Sequence, residues 1–433
     1  MKLSIIADDL TGANDSGVQL ARQGLRTSVL LDADRETLTK TEAVVLDTDT
    51  RSLPVAEAYE RVAQASRLLR EAGFDTVYKK IDSTLRGNLG AEIDAVFDVF
   101  QPDVAIIAPA YPQNGRTVVQ GVHYLHGVRL DETEFALSPK DPVTEAYIPD
   151  LLREQTKRGV ALISTEQLRQ GAERLSQQLK DCVAQHMPYL VFDAQTEEDL
   201  QCIARYVHQT PYTVLWVGSA GLAQYLADVY GWRKDKRPVS IAANEKPVLC
   251  VVGSVSRVSR KQLEALQKEP NVYGLRLDAM QTLSSSGQRM TEMGRVIQEG
   301  REALQRGRHL ALYSSGSEQD IAQVQQWAQQ RGLGSSEAAD EIVRALGEAA
   351  AQLIEENDLQ GIIMTGGDTA KQVCLHLGIK GFELLDEIET GIPFGRLIGK
   401  SDIYAVTKAG AFGSEQTFVN AIHLLQGKGG IRS

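Results

Sequence analysis

The chain has 433 residues, more than one ordinary hydrophobic core accommodates, so the length predicts two domains. Hydrophobic residues make up 42% of the sequence and charged residues 24%, which excludes a disordered or fibrous protein. The net charge of −11 argues against nucleic acid or an anionic membrane surface as the main partner, although a local basic patch would still bind phosphate.

The start of the chain and its cysteines predict a cytoplasmic protein. The apolar run Leu3–Ala7 is too short for a signal peptide and meets acid at once, and no run is long enough to span a bilayer. The cysteines show no CxxC spacing, so we expect reduced thiols rather than a zinc site or a disulfide framework. They are Cys182, Cys202, Cys250 and Cys374.

Short apolar runs alternate with helical periodicity throughout the N-terminal half. The predicted order is a strand in KLSIIA, a helix in ANDSGVQLARQG, strands in TSVLL and AVVLDTDTR, and a helix in VAEAYERVAQASRLLREAG. Further strands are predicted in TVYKKIDST, DVAIIAPAY, ALIST, YLVFDA and TVLWVGSAG. This alternation is typical of a largely parallel sheet.

A charged, proline-containing segment without periodicity, GWRKDKRPVSIAANEKP, predicts a domain boundary. The predicted units are a first domain at 1–232, a linker at 233–247 and a second domain at 248–433. The second half restarts with a strand in VLCVVGSVS and includes two long amphipathic helices around MGRVIQEGREALQ and ADEIVRALGEAAAQLIEE. The predicted fold class is therefore α/β, with two domains that each contain a mostly parallel sheet flanked by helices, and an active-site cleft between them.

The predicted strands of the N-terminal half end in polar residues. In open parallel sheets ligands bind beyond the carboxyl ends of the strands, so these residues are candidates for a binding site. Carboxylates and amides suit hydroxyl groups, and arginine can bind a carboxylate in a bidentate manner. The combination predicts a site for a small polar molecule. The residues are Asp8, Asp9, Asp47 to Arg51, Lys79 to Gly87, Tyr111, Asn114 and Arg116.

Helix capping is the alternative interpretation of these residues. One of Asp8 and Asp9 would cap the following helix, and Ser83 or Thr84 would cap a helix after KKIDSTLRG. Capping does not explain the basic residues of the group. We expect Asp9 to face the site and Asp8 to serve the structure.

The C-terminal half has a different pattern, because four of its strands run into Gly/Ser turns: VVGSVS, LYSSGS, MTGGDT and KAGAFG. Small residues allow close backbone approach, and free N–H groups at a helix start attract phosphate. In MTGGDTA, Gly366 and Gly367 leave the amides bare, Asp368 is a candidate cation ligand, and Thr369 is expected to open a helix. Four such turns favour a nucleotide or phosphate site.

Several other site types lack their motifs. There is no GxxxxGK[ST] loop, no GxGxxG with a following acid and no GxSxG elbow. His123 and His126 show no metal-ligand spacing and are expected on a hairpin or turn.

Five segments together resemble the four-carbon acid sugar kinase family: IADDLTGANDSG, KKIDSTLRGNLGAEIDA, APAYPQNGRTVVQGVHYL, TGGDTA and TKAGAFGS. The resemblance covers nearly the whole chain and implies a sugar-acid-binding domain followed by a nucleotide-binding domain. It also implies ATP-dependent phosphorylation of the terminal hydroxyl of a four-carbon acid. D-threonate is the expected substrate, with D-erythronate and 3-oxo-tetronate as alternatives.

The resemblance carries site residues over to this chain. It implies a sugar-acid site lined by Asp9, Arg51, Asp82, Ser83, Thr84, Leu85 and Arg86. It implies an ATP site formed by Ser254, Gly366, Gly367, Asp368, Thr369 and Gly410. Two positions depart from the family pattern, namely Thr50, where relatives more often have Ser, and Ala411, where many have Gly.

For phosphoryl transfer, positioning and charge neutralisation are the main requirements. Arg51, Lys80 and Arg86 are the candidates to hold the substrate carboxylate, with Asn114 as a further substrate contact. Asp9 or Asp82 would orient hydroxyls and accept the proton. Mg²⁺ would bridge phosphate oxygens, with Asp368 as its candidate ligand.

Two rival functions are an aldolase or isomerase acting on the same acid, and a non-enzymatic sugar-acid sensor. The aldolase or isomerase would leave the glycine turns without a role, and the sensor fits poorly with a cytoplasmic chain whose sequence has no DNA-binding motif. The sequence does not determine the stereochemistry of the acid, and a homodimer is possible.

Overall fold

A computed structural model describes residues 3–33, 38, 41–137, 142–235 and 239–428. The chain divides into two compact units, residues 1–237 and 238–433. The predicted linker lies across this division, and its residues 236–238 fall outside the described residues. Among the helices that the structure describes, none has the length and apolar character needed to cross a bilayer.

The strands of the N-terminal unit are short and mostly buried, as expected for strands covered on both faces. They are β1 Leu3–Ala7, β2 Thr27–Leu30, β3 Ala43–Asp47, β4 Thr76–Lys80, β5 Val104–Ala108, β6 Arg116–Val119, β7 Val122–Leu125, β8 Val128–Arg129, β9 Val160–Ile163, β10 Tyr189–Phe192 and β11 Val214–Gly218.

The main sheet of this unit is parallel throughout, in the order β2-β3-β1-β4-β11-β5-β10-β9. Its amphipathic helices bury one face against the sheet or a neighbouring helix. They are α1 Leu10–Arg22, α2 Val55–Glu71, α3 Leu89–Phe100, α4 Ile148–Gln155, α5 Thr165–Leu168, α6 Ala172–Ala184, α7 Glu197–His208 and α8 Ala220–Val229.

Strands β6, β7 and β8 form a small antiparallel sheet outside the main one. His123 lies on β7, and His126 has a φ of 49° in the turn between β7 and β8. Their predicted position on a hairpin or turn is confirmed.

The C-terminal unit also has mostly parallel strands flanked by helices. Its strands are β12 Val248–Val252, β13 Val272–Leu277, β14 His309–Ser314, β15 Gly361–Thr365, β16 Gly381–Glu387, β17 Pro393–Ile398 and β18 Lys400–Lys408. Within this unit the order is β13-β14-β12-β15-β18-β17-β16, parallel as far as β18 and antiparallel from β18 to β16.

The helices of the C-terminal unit include the two predicted long ones, Ser286–Gln305 and Ser335–Glu356. Its described helices are α9 Arg257–Gln267, α10 Ala279–Leu283, α11 Ser286–Gln305, α12 Glu318–Gln330, α13 Ser335–Glu356, α14 Gly367–Leu377 and α15 Thr417–Leu425. The predicted α/β class, with mostly parallel strands flanked by helices in each unit, is confirmed; the predicted interdomain cleft stays a prediction.

Strand register brings the polar strand ends together. In the N-terminal sheet Ala7 of β1 pairs with Asp47 of β3 and with Lys80 of β4, so these three strands end level. In the C-terminal sheet Val252 of β12 pairs with Thr365 of β15, which in turn pairs with Lys408 of β18. The loops that follow each triplet therefore lie side by side.

Candidate functional site

The N-terminal unit has a cluster of charged side chains where β1, β3 and β4 end. Arg51 lies at its centre and donates from Nε to Asp8 Oδ2 at 2.7 Å. Its other two nitrogens grip Asp9, with Nη1–Oδ2 at 3.0 Å and Nη2–Oδ1 at 2.7 Å. Asp82 Oδ1 lies 3.7 Å from Nη2 of the same guanidinium. Arg51 therefore joins the ends of three adjacent strands.

Of the two adjacent carboxylates Asp8 and Asp9, the one that caps the following helix is Asp9. Asp9 is the N-cap of α1, because its side chain accepts a hydrogen bond from Gly12 N at 2.9 Å. The Asp8 side chain bonds to Arg51 and is 4% exposed, while the Asp9 side chain is 22% exposed. Asp9 therefore combines the capping role with the more exposed position, and Asp8 serves the structure through Arg51.

The loop after β4 folds around Asp82. Asp82 Oδ2 accepts hydrogen bonds from Thr84 Oγ1 at 2.5 Å and from Arg86 Nε at 2.6 Å. Leu85 has a φ of 58°, an unusual backbone conformation for a leucine that such tight local bonding can hold.

Neither Ser83 nor Thr84 caps a helix, because α3 begins at Leu89 with Asn88 at its N-cap. The capping alternative for these two residues is therefore wrong. The segment between β4 and α3 is a loop whose side chains bond to one another.

Two adjacent lysines at the end of β4, Lys79 and Lys80, are both buried, and their ammonium groups have different partners. Lys80 Nζ donates to Ile81 O at 2.7 Å, and a Cβ added at Gly12 would lie 2.8 Å from Nζ and 2.6 Å from Asp9 Oδ1. Lys80 and Asp9 thus meet at the first turn of α1.

Lys79 instead forms an ion pair with Glu92 of α3 at 2.7 Å, with both side chains at most 2% exposed. It also donates to the carbonyls of Ile6 and Lys80 at 3.4 Å and 2.8 Å. The sequence contains no signal for the partner Glu92, because that pairing depends on how α3 packs on the sheet.

The carboxylates of the cluster differ in acidity. Burial raises the pKa of Asp9, and repulsion from Asp8 and Asp82 adds to that effect against the opposing pull of Arg51. Burial also disfavours ionisation of Asp82, but Arg86, Arg51 and Lys80 outweigh it and hold its pKa well below the usual range. Asp9 is therefore the carboxylate better suited to accept a proton.

The predicted cations are not equally available for a ligand. Arg51 already bonds to two carboxylates, and Lys80 is 3% exposed. The Arg86 side chain is 26% exposed, and its ion pair to Asp82 uses Nε. Arg51 and Arg86 also line a cavity of about 270 Å³, which is lined as well by Asn88, Thr144 and Gln155.

The small antiparallel sheet supports the same loop. His123 Nε2 lies 2.9 Å from the carbonyl of Ser83, and burial lowers the pKa of His123 to about 4. The ring is therefore neutral and donates its proton to that carbonyl. Arg116 donates to the carbonyl of Asn114, and its guanidinium is close enough to Asp82 to be influenced by that charge. His123 is a contact that the sequence did not predict.

In the C-terminal unit, the predicted nucleotide residues of three adjacent loops lie together. A Cβ added at Gly366 would lie 3.4 Å from Thr369 Oγ1 and 3.7 Å from Ser254 N. A Cβ at Gly410 would collide with Ser254 Oγ. Gly366 also has a φ of 96°, which strains a residue with a Cβ, so backbone from the ends of β12, β15 and β18 shares one small region.

Helix α14 begins at Gly367, two residues earlier than predicted, after Gly366 with a φ of 96°. Thr369 and Asp368 are thus in its first turn, where N–H groups favour an anion. Within the described residues no cluster of three or more potential metal ligands occurs. A single carboxylate such as Asp368 fits a Mg²⁺ held mainly by phosphates and water.

Comparison with known families gives one domain match in each unit. Residues 3–226 match the model of the sugar-binding N-terminal domain, and residues 249–418 match the model of the nucleotide-binding C-terminal domain. The sugar-binding model covers the charged cluster, and the nucleotide-binding model covers the three glycine loops.

Similar proteins of known activity align over nearly the full chain. A D-threonate kinase of Salmonella typhimurium is 33% identical, over 98% of this chain and 99% of its own. A D-erythronate kinase of Heliobacterium modesticaldum is 32% identical, over 97% and 96% respectively. A D-threonate kinase of Bordetella bronchiseptica is 34% identical, over 98% and 97%.

Two solved structures have the same fold along their whole length. One, from Salmonella typhimurium, has a TM-score of 0.80 and 27% identity, covering 97% of this chain and 98% of the other. Another, from Haemophilus influenzae, has a TM-score of 0.73 and 27% identity, covering 98% and 100%.

Proposed function

Because this chain belongs to the four-carbon acid sugar kinase family, and is therefore a phosphotransferase, we propose that it phosphorylates the 4-hydroxyl of D-threonate with ATP. The observation that carries the proposal is the charged cluster around Arg51, which lies where three strands end and combines a carboxylate of raised pKa with the cations Arg51, Lys80 and Arg86. Such a cluster suits a ligand that has hydroxyls and a carboxylate.

We propose that Arg86 is the main contact of the substrate carboxylate. Its greater exposure and its position on the cavity shared with Arg51 support this role. Asp82, held ionised by its cationic neighbours, would fix Arg86 and Thr84 in place. Ser83, Leu85 and Asn114 would complete the wall of the site.

In the proposed reaction, the 4-hydroxyl oxygen of the sugar acid attacks the γ-phosphorus of ATP, and Asp9 accepts the proton of that hydroxyl group. One P–O bond forms to the sugar acid while the bond to the β-phosphate oxygen breaks, and ADP leaves. The raised pKa of Asp9 makes it a better base than Asp82, whose pKa is lowered. Lys80, against the same turn of α1, would stabilise the ionised form of Asp9.

The nucleotide phosphates would lie against Ser254, Gly366, Gly367, Asp368, Thr369 and Gly410. We propose Mg²⁺ as the accompanying cation, with Asp368 as its protein ligand. When bound, Mg²⁺ neutralises phosphate charge.

D-erythronate and 3-oxo-tetronate are the alternative substrates, because relatives of similar identity are kinases of these acids. The test is ADP release from ATP and Mg²⁺ with a panel of D-threonate, L-threonate, D-erythronate and their 3-oxo relatives. We expect the highest kcat/KM with D-threonate. Thermal stabilisation by an acid without ADP release would favour a sensor, and conversion of an acid without ATP would favour an aldolase or isomerase.

We also propose a cytoplasmic location, which the free thiols of Cys182, Cys202, Cys250 and Cys374 support. A homodimer remains a prediction, and light scattering of the purified chain tests it.

A further inference from the structure

The loop after β18, residues 409–414, has its carbonyl groups bound from inside the C-terminal unit. Lys408 Nζ donates to the carbonyls of Ala409 at 2.8 Å, Gly410 at 3.0 Å and Phe412 at 3.0 Å. Nζ also donates to Ser259 Oγ at 3.3 Å, so the three N–H donors of the ammonium group serve four acceptors, of which the three carbonyls are the nearer ones. One side chain thus sets the orientation of half the loop.

Neighbouring side chains bind the same loop from the same side. Gln262 Nε2 donates to Phe412 O at 3.0 Å and to Ser414 O at 2.7 Å. Ser256 Oγ donates to Gly410 O at 2.6 Å. The inward orientation of these carbonyls is therefore fixed by several independent bonds.

The N–H groups of this loop point the opposite way from its bound carbonyls. In a trans peptide the C=O and the following N–H point in opposite directions. Since the carbonyls of 409, 410 and 412 face Lys408, the N–H groups of Gly410, Ala411 and Gly413 face away from it. Successive N–H groups on one side of a loop form a concave site for an anion. Gly410 also lies against Ser254, at the region where the three glycine loops meet.

The burial of Lys408 indicates that it is not an ordinary structural residue. It is 1% exposed, and in the part of the chain that the structure describes no carboxylate forms an ion pair with it. Burying a cation without an ion pair lowers the stability of the folded state, because the charge loses its hydration. An apolar side chain of similar length would lower it less. Such a group is more common at functional sites than elsewhere.

We infer that Lys408 is a positioning residue for the nucleotide: by turning the loop carbonyls inward, it aims the loop N–H groups at the ATP phosphates. It acts through the backbone and does not itself touch the nucleotide. The inference rests on the proposed kinase function only in so far as this unit binds ATP.

The test is equilibrium binding of MgATP to the full-length protein by calorimetry, with Lys408→Met as the variant and Lys380→Met as the matched control. Lys380 is an exposed lysine of the same unit. We expect Lys408→Met to raise the Kd for ATP by about tenfold or more, since charge-assisted bonds that shape the loop are lost. The control should bind as the wild type does, and D-threonate should bind all three proteins equally.

An unchanged ATP Kd in a folded Lys408→Met protein would overturn the inference, and so would an equal loss of ATP and D-threonate binding. If Lys408→Met does not fold, Gln262→Leu removes two bonds to the same loop and should raise the ATP Kd by a smaller factor. If Gln262→Leu binds ATP normally, the inference fails. Binding needs no turnover, so absence of ADP release with every acid would reject the proposed function and leave this test intact.

A pH series provides a further readout. Burial lowers the pKa of Lys408 to about 7, with Cys250 and Glu389 as the titratable groups that face it. Above this pH the neutral amine keeps two donors for three carbonyls, so the wild-type Kd for ATP should rise between about pH 6 and about pH 9. Lys408→Met should lack that part of the pH dependence, and an identical dependence in both proteins would contradict the inference.

Discussion

The two adjacent carboxylates Asp8 and Asp9 differ in acidity, although both bond to the guanidinium of Arg51. Asp8 and Asp9 both bond to Arg51, yet the pKa of Asp8 is lowered while that of Asp9 is raised. Burial disfavours ionisation of both. For Asp8 the charges of Arg51 and Lys79 outweigh it, whereas Asp9 is also repelled by Asp8 and Asp82. Local pairing therefore assigns these acids different roles.

Asp9→Asn should lower kcat by about 100-fold to 10,000-fold, the usual contribution of a positioned base. Asp82→Asn should instead mainly raise the KM for the sugar acid, because it releases Arg86 and Thr84. Steady-state kinetics with D-threonate, together with melting temperatures, separates the two effects. Asp8→Asn is the control: it should lower stability more than turnover, and an equal loss of kcat in Asp8→Asn and Asp9→Asn would contradict this assignment.

The raised pKa of Asp9 predicts a pH dependence of turnover. A general base must be ionised, so kcat of the wild type should fall as the pH decreases through the pKa of Asp9. Because burial raises that pKa, the fall should begin at a higher pH than the value of about 3.9 for an ordinary aspartate. A kcat that is flat down to about pH 4 would assign the proton to another group.

Among the elements, the loops at the strand ends differ between the two units in how they present polar groups. After β1, β3 and β4 charged side chains cluster together, while after β12, β15 and β18 the backbone of glycine-containing loops comes together. Side-chain carboxylates and guanidinium groups recognise hydroxyls and a carboxylate, whereas bare N–H groups recognise phosphate. The same sheet architecture therefore supplies two chemically distinct surfaces.

Gly410→Ala should weaken ATP binding by about tenfold, because the added Cβ collides with the Ser254 hydroxyl and separates two of the glycine loops. Gly294→Ala is the matched control, since Gly294 lies in α11 with open space where its Cβ would be. The control should bind ATP normally and be equal or slightly higher in stability. Calorimetric titration of ATP measures both, and equal affinity of the two variants would rule out a close approach of the nucleotide to Gly410.

At the scale of the whole molecule, each compact unit has its own set of parallel strands and its own buried hydrophobic residues. A ligand that binds only the folded form of one unit stabilises that unit by mass action. The two ligands of the proposed reaction should therefore stabilise different parts of the chain.

Differential scanning calorimetry should resolve two unfolding transitions. MgATP should raise the midpoint temperature of one, and D-threonate should raise that of the other. At about 100 times the Kd, each ligand should add about 2.7 kcal/mol to its own unit. At the same ATP concentration, Gly410→Ala, with a Kd about tenfold higher, should show only about 1.4 kcal/mol of ATP stabilisation and the full D-threonate response. If one ligand alone raised both transitions equally, the assignment of one ligand to each unit would be wrong.

The sequence by itself determined the α/β class, the two sheets, the two long helices and which strand ends carry polar or glycine-rich loops. These features follow from hydrophobic periodicity and turn residues, which are local properties. Only the tertiary structure decided that Asp9 caps α1, that Arg51 joins three strand ends, that Lys79 pairs with Glu92 and that Lys408 binds three loop carbonyls. Those contacts depend on strand register and helix packing between segments far apart in the chain, and a local pattern contains no information about which distant partner a buried charge will meet.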